Sequence, residues 1–163
     1  MYATDSPHIF RAGISTLVLS LVLLQTLAVA PLHGSVTGMN KTKAELAKKR
    51  LAELFQLCRQ HDHERLASYL VYRGEKEKRK WKDTYKYDGT DDNKQVEWRC
   101  DNIRKLLLGY DSYEFGDVEI DRESEGEWVA LQVIFRKGEE RRETRFAFLK
   151  IRGRYCLGDM DLD

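Results

Sequence analysis

The sequence lacks the motifs that mark common nucleotide-dependent and hydrolytic enzymes: it has no G-x-x-x-x-G-K-[ST] loop, no G-x-G-x-x-G run, no H-E-x-x-H pair and no G-x-S-x-G turn. It also lacks an excess of charge, since 28 Lys+Arg oppose 27 Asp+Glu in 163 residues. A broad nucleic-acid-binding surface carries a strong basic excess. We therefore expect no nucleic acid among the partners and no nucleotide-dependent activity.

Proline, glycine and cysteine are scarce. Two Pro and 11 Gly are too few for a low-complexity or collagenous chain. The three cysteines, Cys58, Cys100 and Cys156, have spacings that match no zinc pattern. We expect all three to be small buried side chains, with one disulfide as the alternative. The sequence implies no cofactor and no metal.

The N-terminal part lacks charge altogether from residue 12 to residue 40. Arg11 followed by the apolar run 14–30 is typical of a secretory signal peptide, and Ala28-Val29-Ala30 has the small-x-small form of a cleavage site. An uncleaved membrane anchor and a buried core helix are the alternatives. We therefore divide the chain into a signal peptide or anchor (1–30), a linker (31–40) and one domain (41–163). The domain is expected to be exported, or held at a membrane through residues 14–30 only.

Three helices are predicted after the linker. Thr42-x-x-Glu45 resembles a capping box, and an apolar stripe with helical spacing follows it to Gln60. Asp62 is a candidate N-cap for a second, short helix that ends by Gly74. Asp92-x-x-Gln95 resembles another capping box and predicts a helix over 93–108. Residues 73–94 between them permit at most a short edge strand.

The C-terminal third predicts an antiparallel meander, because each of its short turns contains a glycine. The four strands are expected over Tyr113–Arg122, Glu127–Lys137, Glu143–Arg152 and Arg154–Leu162. Together with the helices they predict an α+β fold, in which N-terminal helices pack on a curved sheet. Both faces of the central strands are partly apolar, and a second buried face would need a ligand or a partner to cover it.

The order of elements resembles the nuclear-transport-factor-two-like (cystatin-like) superfamily of cone-shaped α+β domains. Two motifs carry the resemblance: the last hairpin, over 146–159 with Tyr155 in place of a common tryptophan, and the first-helix pattern Phe55-x-x-Cys58-x-x-x-Asp62-x-x-x-Leu66. The resemblance covers most of residues 41–163, and it is to small exported members. It implies a sheet that curls around a cavity closed by the first helix. Members include isomerases, dehydratases and ligand binders, so the fold alone selects no function.

The second apolar face predicts a non-enzymatic module that binds a small ligand or a protein. Its candidate ligand-binding residues are Trp128, Ala130, Ile134, Ala147 and Leu149. A homodimer formed through the sheet is another way to cover this face, and a structural envelope protein is a further alternative. An enzyme of the isomerase or dehydratase kind would instead need a cavity carboxylate near a tyrosine, for which Tyr113, Asp117 and Glu119 are candidates on one strand. Alternation favours a solvent-facing position for Asp117 and Glu119, with Val118 and Ile120 inward.

Two polar clusters complete the candidates. A basic run could contact an anionic surface through Lys76, Lys78, Arg79, Lys80 and Lys82, although such runs are more often solvated loops. His61-Asp62-His63 suggests a metal site, but a helix-connecting turn is the better interpretation because no third ligand is near in sequence.

Overall fold

The structure is a computed structural model, and it describes residues 34–162. It shows an α+β fold, as predicted, in which helices pack on one face of a four-stranded antiparallel sheet. The elements, in chain order, are α1 (Gly34–Gln60), α2 (His63–Ala67), α3 (Asp92–Gly109), β1 (Ser112–Glu123), β2 (Gly126–Lys137), β3 (Glu140–Ile151) and β4 (Arg154–Met160). The predicted signal peptide or anchor over 1–30 lies outside the described residues. Within 34–162, no helix is both long and apolar enough to cross a membrane.

Helix α1 begins earlier than the sequence predicts. Residues 34–40, which the sequence analysis assigns to the linker over 31–40, already belong to this helix. Thr42 is therefore an interior residue, and its hydroxyl donates to the carbonyl oxygen of Gly38 at 3.1 Å instead of capping a helix start. The predicted apolar stripe is confirmed: Ala47, Leu51, Leu54, Phe55 and Cys58 are all buried.

The short helix α2 starts where its predicted cap places it. The Asp62 carboxylate accepts a hydrogen bond from the amide of Arg65 at 3.1 Å, which satisfies one of the free N–H groups of the first turn. His61, which precedes it, has a φ of 55° and so makes the sharp turn between α1 and α2. Leu66 and Ala67 are buried and attach the short helix to the core.

An irregular segment, residues 68–91, connects α2 to α3. Its start lies along β4, where Leu70 forms a parallel bridge with Leu157. The segment then turns back on itself, and Val71 forms an antiparallel bridge with Thr84. The edge strand permitted by the sequence is thus limited to this one bridge. Between the two bridged positions lies Trp81, whose φ of 61° is unusual for a bulky side chain.

Helix α3 confirms the predicted helix over 93–108 and extends one residue at each end. The predicted capping role of Asp92 is wrong. Asp91 occupies the N-cap position without a side-chain cap bond, and the Asp92 carboxylate accepts a hydrogen bond from Nη2 of Arg79 at 3.1 Å. A charged partner from the irregular segment therefore replaces the local cap.

The sheet has the order β1-β2-β3-β4, and every neighbouring pair is antiparallel, as the meander predicts. A register shift between Phe115 and Val118 marks a bulge in β1. Because the bulge adds a residue, it changes which side chains share a face along this strand. Glu119 is exposed while Val118 and Ile120 pack against the core, as alternation predicts.

The core fills the side of the sheet that faces α1, which we call the inner face. Phe55 of α1 lies at its centre, with ring centroids 5.1 Å from Tyr113, 5.6 Å from Phe146 and 6.2 Å from Phe135. Aromatic packing of this kind leaves the inner face occupied by side chains. All three cysteines are buried and unbridged, which confirms the expectation that they are buried.

Candidate ligand site on the outer face of the sheet

The face of the sheet turned away from α1, which we call the outer face, is apolar at one end and charged elsewhere. The apolar end is a small second cluster of buried residues that is separate from the main core. Its members are Val71, Trp128, Leu149, Ile151 and Cys156, with Trp81 and Ala147 packed against them. The irregular segment contributes Val71 and Trp81, so it covers this end of the outer face and leaves the rest open.

Two tryptophans form a corner at the boundary between the covered and the open part. The rings of Trp81 and Trp128 meet edge to face, with centroids 5.7 Å apart and an interplanar angle of 76°. The Arg73 guanidinium lies over the Trp81 ring, 5.0 Å from its centroid. Arg73 is itself fixed to β4, because Nη1 lies 2.6 Å from Oδ1 of Asp159 and 3.2 Å from the carbonyl oxygen of Gly158. The corner is thus held by contacts on both of its sides.

A cavity of about 360 Å³ opens beside this corner. Trp81 and Trp128 form one wall, and the small side chains of Ala130 and Ala147 lie between the walls. The remaining lining is mostly charged: Arg73, Arg145, Asp121, Glu123, Glu125, Asp159 and Asp161, with Met160. Aromatic and small apolar surface beside a few polar groups is the usual composition of a small-molecule site.

Of the five carboxylates that line the cavity, two are paired with a guanidinium and three are not, among the described residues. Asp159 is paired with Arg73, and Asp121 lies 3.9 Å from Nη2 of Arg145. Across residues 34–162, the other three carboxylates of the lining (Glu123, Glu125 and Asp161) have no ion-pair partner. Five carboxylates and two guanidiniums give the lining a formal charge of −3. This cavity therefore favours a positively charged occupant.

Two buried polar atoms at the cavity have no hydrogen-bond partner among the described residues. They are the indole nitrogen, Nε1, of Trp128 and the carboxylate oxygen Oε2 of Glu125. One is a donor and the other an acceptor, and buried groups of both kinds are normally satisfied. A ligand in the cavity could supply both missing partners.

A second cavity of about 300 Å³ continues along the outer face. It shares Ala130, Arg145 and Asp161 with the first cavity, so the two form one groove. Its own polar groups are largely bonded to one another: Gln132 donates to Glu143 at 2.6 Å, and Arg145 lies 2.8 Å from Glu119. Oγ1 of Thr144, which lines this second cavity, also lacks a hydrogen-bond partner among the described residues, so the tryptophan end is distinguished by its aromatic wall and its unpaired carboxylates.

The predicted ligand-binding residues all lie on the outer face, at unequal distances from the cavity. Trp128, Ala130 and Ala147 line it. Leu149 is buried in the small cluster beneath the corner. Ile134 lies farther along β2, in register with Glu114 and Glu143, and does not line the cavity.

Sequence reasoning missed the contributions of the irregular segment, Arg73 and Trp81. The signal for Arg73 was visible only as part of a basic run, and nothing in that run indicates that it turns back to β4. The spacing of Trp81, Tyr85 and Tyr87 permits an edge strand, but Trp81 lies at a turn with positive φ, and this turn brings it to the outer face.

The exposed carboxylates at the cavity, Asp121, Glu123 and Asp161, form what we call the acidic rim. Its part on β1 could have been predicted, since Asp121 and Glu123 continue the outward alternation of that strand.

The basic run does not form one exposed surface. Arg79 is mostly enclosed: it lies 3.1 Å from Asp92, donates to the carbonyl oxygen of Thr84 at 2.8 Å and stacks on Tyr72 at 4.0 Å. Its guanidinium is thus engaged by internal contacts, and the predicted contact of this residue with an anionic surface stays a prediction. Lys80 is 3.8 Å from Glu77, while the other members of the set (Lys76, Lys78 and Lys82) are exposed.

The carboxylate–tyrosine arrangement expected for an enzyme does not assemble. Tyr113 packs on the inner face against Phe55, whereas Asp117 and Glu119 line the groove on the outer face. The bulge between Phe115 and Val118 separates them, because it interrupts the alternation on which the prediction depended. The His61 and His63 rings lie 5.9 Å apart, and across residues 34–162 no group of three metal-ligating side chains is found.

Comparisons of the chain with protein-family models, with curated proteins and with solved structures find no match.

Proposed function

We propose that this protein is a non-enzymatic binding module whose ligand site is the tryptophan end of the outer-face groove. One observation carries the proposal: the Trp81–Trp128 corner borders a cavity in which three carboxylates lack an ion-pair partner among the described residues. The ligand combines a positively charged group with an apolar part that can pack against the tryptophan rings. A lysine- or arginine-containing peptide, or an aromatic amine, has this chemistry.

The charge distribution supports a cation over an anion. Both guanidiniums at the cavity are already engaged, Arg73 by Asp159 and Arg145 by Glu119. The carboxylates of Glu123 and Asp161 are exposed and can bind a cation without first breaking an ion pair. Such rim charges raise the rate of association and select the sign of the ligand.

The same charges bear on a homodimer formed through the sheet. In a symmetric pair of outer faces, the negatively charged lining of one cavity would belong to the same interface as that of its copy. Two surfaces of like net charge repel, so a cationic ligand fits this surface better than a second copy of it. Separation of Tyr113 from Asp117 likewise supports binding over acid–base catalysis.

The resemblance to the nuclear-transport-factor-two-like superfamily remains part of the proposal. That resemblance implies a cavity between the sheet and the first helix, but here Phe55 and its aromatic neighbours fill that side. We therefore place the ligand on the opposite face. Export or anchoring through residues 14–30, and a role in the cell envelope, remain predictions that depend on residues outside 34–162.

The proposal can be tested by tryptophan fluorescence in the full chain. The chain has three tryptophans, so Trp98→Phe leaves emission from Trp81 and Trp128 alone. Because Trp98 is exposed on α3, we expect this substitution to leave the fold intact. Titration with a tetralysine peptide is expected to change this emission saturably, and tetraglutamate is expected to have no effect. An equal response to both peptides, or to neither, contradicts the proposal.

A charge-neutralising variant locates the binding. Glu123→Gln combined with Asp161→Asn removes two unpaired carboxylates of the rim and is expected to weaken tetralysine binding by about three- to tenfold. Glu64→Gln combined with Glu139→Gln removes two exposed carboxylates outside the groove, so it is the matched control and should bind as the parent does. If the control weakens binding as much as the rim variant, the attraction is not local to the groove.

A further inference from the structure

Arg99 of α3 is a buried cation without a carboxylate partner. Arg99 is only 6 % exposed. Within residues 34–162, its guanidinium forms no ion pair with any carboxylate. Its Nη1 donates to the carbonyl oxygen of Gly158 at 3.2 Å, while Nε is buried with no hydrogen-bond partner. Burial lowers the pKa of Arg99, as expected for a cation removed from water.

Near the carbonyl oxygen of Gly158, the guanidiniums of Arg73 and Arg99 share the neighbourhood of one carboxylate, that of Asp159. Arg73 also donates to the Gly158 carbonyl, at 3.2 Å, so both cations converge on that oxygen. The nearby Asp159 carboxylate is 2.6 Å from Arg73 and is occupied by it. A buried charge that lacks a counter-charge is costly, and folded proteins normally pair such groups. Arg99 is therefore left without a counter-charge of its own among the described residues.

A cavity of about 650 Å³ lies beside Arg99, between the start of α3 and the turn that follows Tyr72. Arg73, Lys76, Tyr85 and Gln95 also line it. Its acidic lining residues are Asp92, which is held by Arg79, Asp91, which is held by Lys94, and the exposed Glu75. None of these three carboxylates pairs with Arg99.

We propose that this cavity binds a small free oxyanion, a carboxylate or a phosphate group, which supplies the counter-charge that Arg99 lacks. The planar guanidinium can donate from Nε–H and a neighbouring Nη–H in parallel, which matches two oxygens of such a group. Two phenol hydroxyls add donors. Tyr72 Oη accepts from the amide of Lys76 at 3.4 Å and Tyr85 Oη accepts from the amide of Arg73 at 3.3 Å, so each proton is left to donate.

This anion site goes beyond the proposed cation-binding function and does not depend on it. Arg73 borders both cavities, but its guanidinium is bound to Asp159 on the side of the outer-face groove. Of these cavities, Arg99 lines only the one of about 650 Å³, and it does not line the outer-face groove. The two sites therefore have opposite ligand charges and separate decisive residues.

The first test is thermal unfolding of the full chain in sodium phosphate, sodium acetate and sodium chloride at equal ionic strength. Phosphate or acetate is expected to raise Tm in a saturable manner relative to chloride, because a ligand that binds only the folded state stabilises it by mass action. Comparison of the two salts identifies which oxyanion the site prefers. Equal Tm values in all three salts would overturn the proposal.

Variants on one helix separate the site from general salt effects. Arg99→Met keeps a similar volume but removes the charge, and it is expected to weaken phosphate or acetate binding by about tenfold or more. Arg104→Met is the control, since Arg104 lies on the same helix 3.7 Å from Asp101 and does not line the cavity. An oxyanion effect that persists in Arg99→Met, or that disappears equally in Arg104→Met, contradicts the assignment.

A measurement without substitution covers the case in which Arg99→Met does not fold. The Nε–H signal of Arg99 in a ¹⁵N NMR spectrum of the full chain is expected to shift as phosphate or acetate is added, and to remain still in chloride. The signal of Arg104 should not move with any of the salts. Shifts of equal size for both arginines would instead indicate weak screening over the whole surface.

Discussion

The ring of Trp128 occupies the space beside Gly158 that any larger residue would need. A Cβ placed on Gly158 would lie 2.5 Å from Cζ3 and 2.6 Å from Cη2 of that ring, far inside van der Waals contact. Because Gly158 has no side chain, the Trp128 ring can approach β4 at this position, where it also meets Trp81. The corner of the proposed ligand site depends on this glycine.

We expect Gly158→Ala to lower the free energy of unfolding by about 1–3 kcal/mol, because the added methyl group overpacks a filled position. The near-ultraviolet circular dichroism of the tryptophans should change as Trp128 is displaced, and urea unfolding measures the stability. Gly109→Ala is the matched control, since a Cβ there meets nothing within 4 Å. A Gly158→Ala protein as stable as that control would show that the ring can move aside at little cost.

Arg79 is expected to order the irregular segment between α2 and α3. Arg79→Met removes contacts with Asp83 at 3.4 Å and Asp92 at 3.1 Å, leaving two partly buried carboxylates with fewer partners. We expect a loss of about 1–3 kcal/mol in the free energy of unfolding, with faster hydrogen exchange of the amides in 72–84. Lys78→Met, in the same run but exposed, should stay within about 0.5 kcal/mol of the parent protein. Equal effects of the two variants would contradict this role.

The ion pair between Lys43 and Glu127 ties α1 to β2, with Nζ 2.7 Å from both carboxylate oxygens. Lys43 lowers the pKa of Glu127, so the stabilisation is complete above the ordinary carboxylate range and is lost as pH falls through the lowered pKa. Glu127→Gln should therefore cost about 0.2–1 kcal/mol at pH 7 and nothing in strong acid.

Urea unfolding of the parent and of Glu127→Gln at pH 7 and at pH 2.5 measures this difference. Glu139→Gln, which no cation contacts among the described residues, should match the parent at both pH values. A difference for Glu127→Gln that grows as the pH falls has the wrong sign for this ion pair.

Cys100 is expected to ionise near neutral pH because of its buried neighbour Cys58. Hydrogen bonding from Cys58 lowers the pKa of Cys100 to about 7, with a further contribution from His63, and the same interaction raises the pKa of Cys58. In the full chain, thiolate absorbance at 240 nm should rise through this range. Cys58→Ala should move that rise to higher pH, because the donor is lost.

Cys156→Ala provides the control for this titration. Burial raises the pKa of Cys156, so its removal should leave the step near neutral pH unchanged. A step that survives in Cys58→Ala but disappears in Cys156→Ala would reassign the low-pKa thiol.

The regular elements could be predicted from the sequence because their signals are local. Stripes such as Val96, Cys100 and Ile103 identify α3 at helical spacing, and glycine-containing turns separate the strands. The predicted caps of α1 and α3 were less accurate. Thr42 and Asp92 have the residue types of caps, but tertiary contacts and an earlier start of α1 give them other partners.

The candidate site was predictable only where it lies on a strand. Trp128 and Ala147 follow from alternation along β2 and β3. Trp81 and Arg73 come from the irregular segment, whose path depends on long-range bonds such as that from Val71 N to the carbonyl oxygen of Leu157 at 2.8 Å. Separation of Tyr113 from Asp117 depends on the bulge between Phe115 and Val118, and the glycine at position 116 is the local signal that could have indicated it.

One edge strand of the sheet, β4, is extended by the irregular segment, whereas the other, β1, has an open outer edge. We expect this open edge to affect self-association in acidic solution. Leu70 extends the β4 side, whereas no strand within residues 34–162 pairs with the outer edge of the twelve-residue strand β1. Exposed edges invite strands of other molecules, and charged side chains together with a bulge discourage them. Carboxylates supply most of that protection on β1. Protonation of these carboxylates at low pH removes the charge repulsion that protects this edge. We therefore expect fibrous self-association in acid to begin at β1.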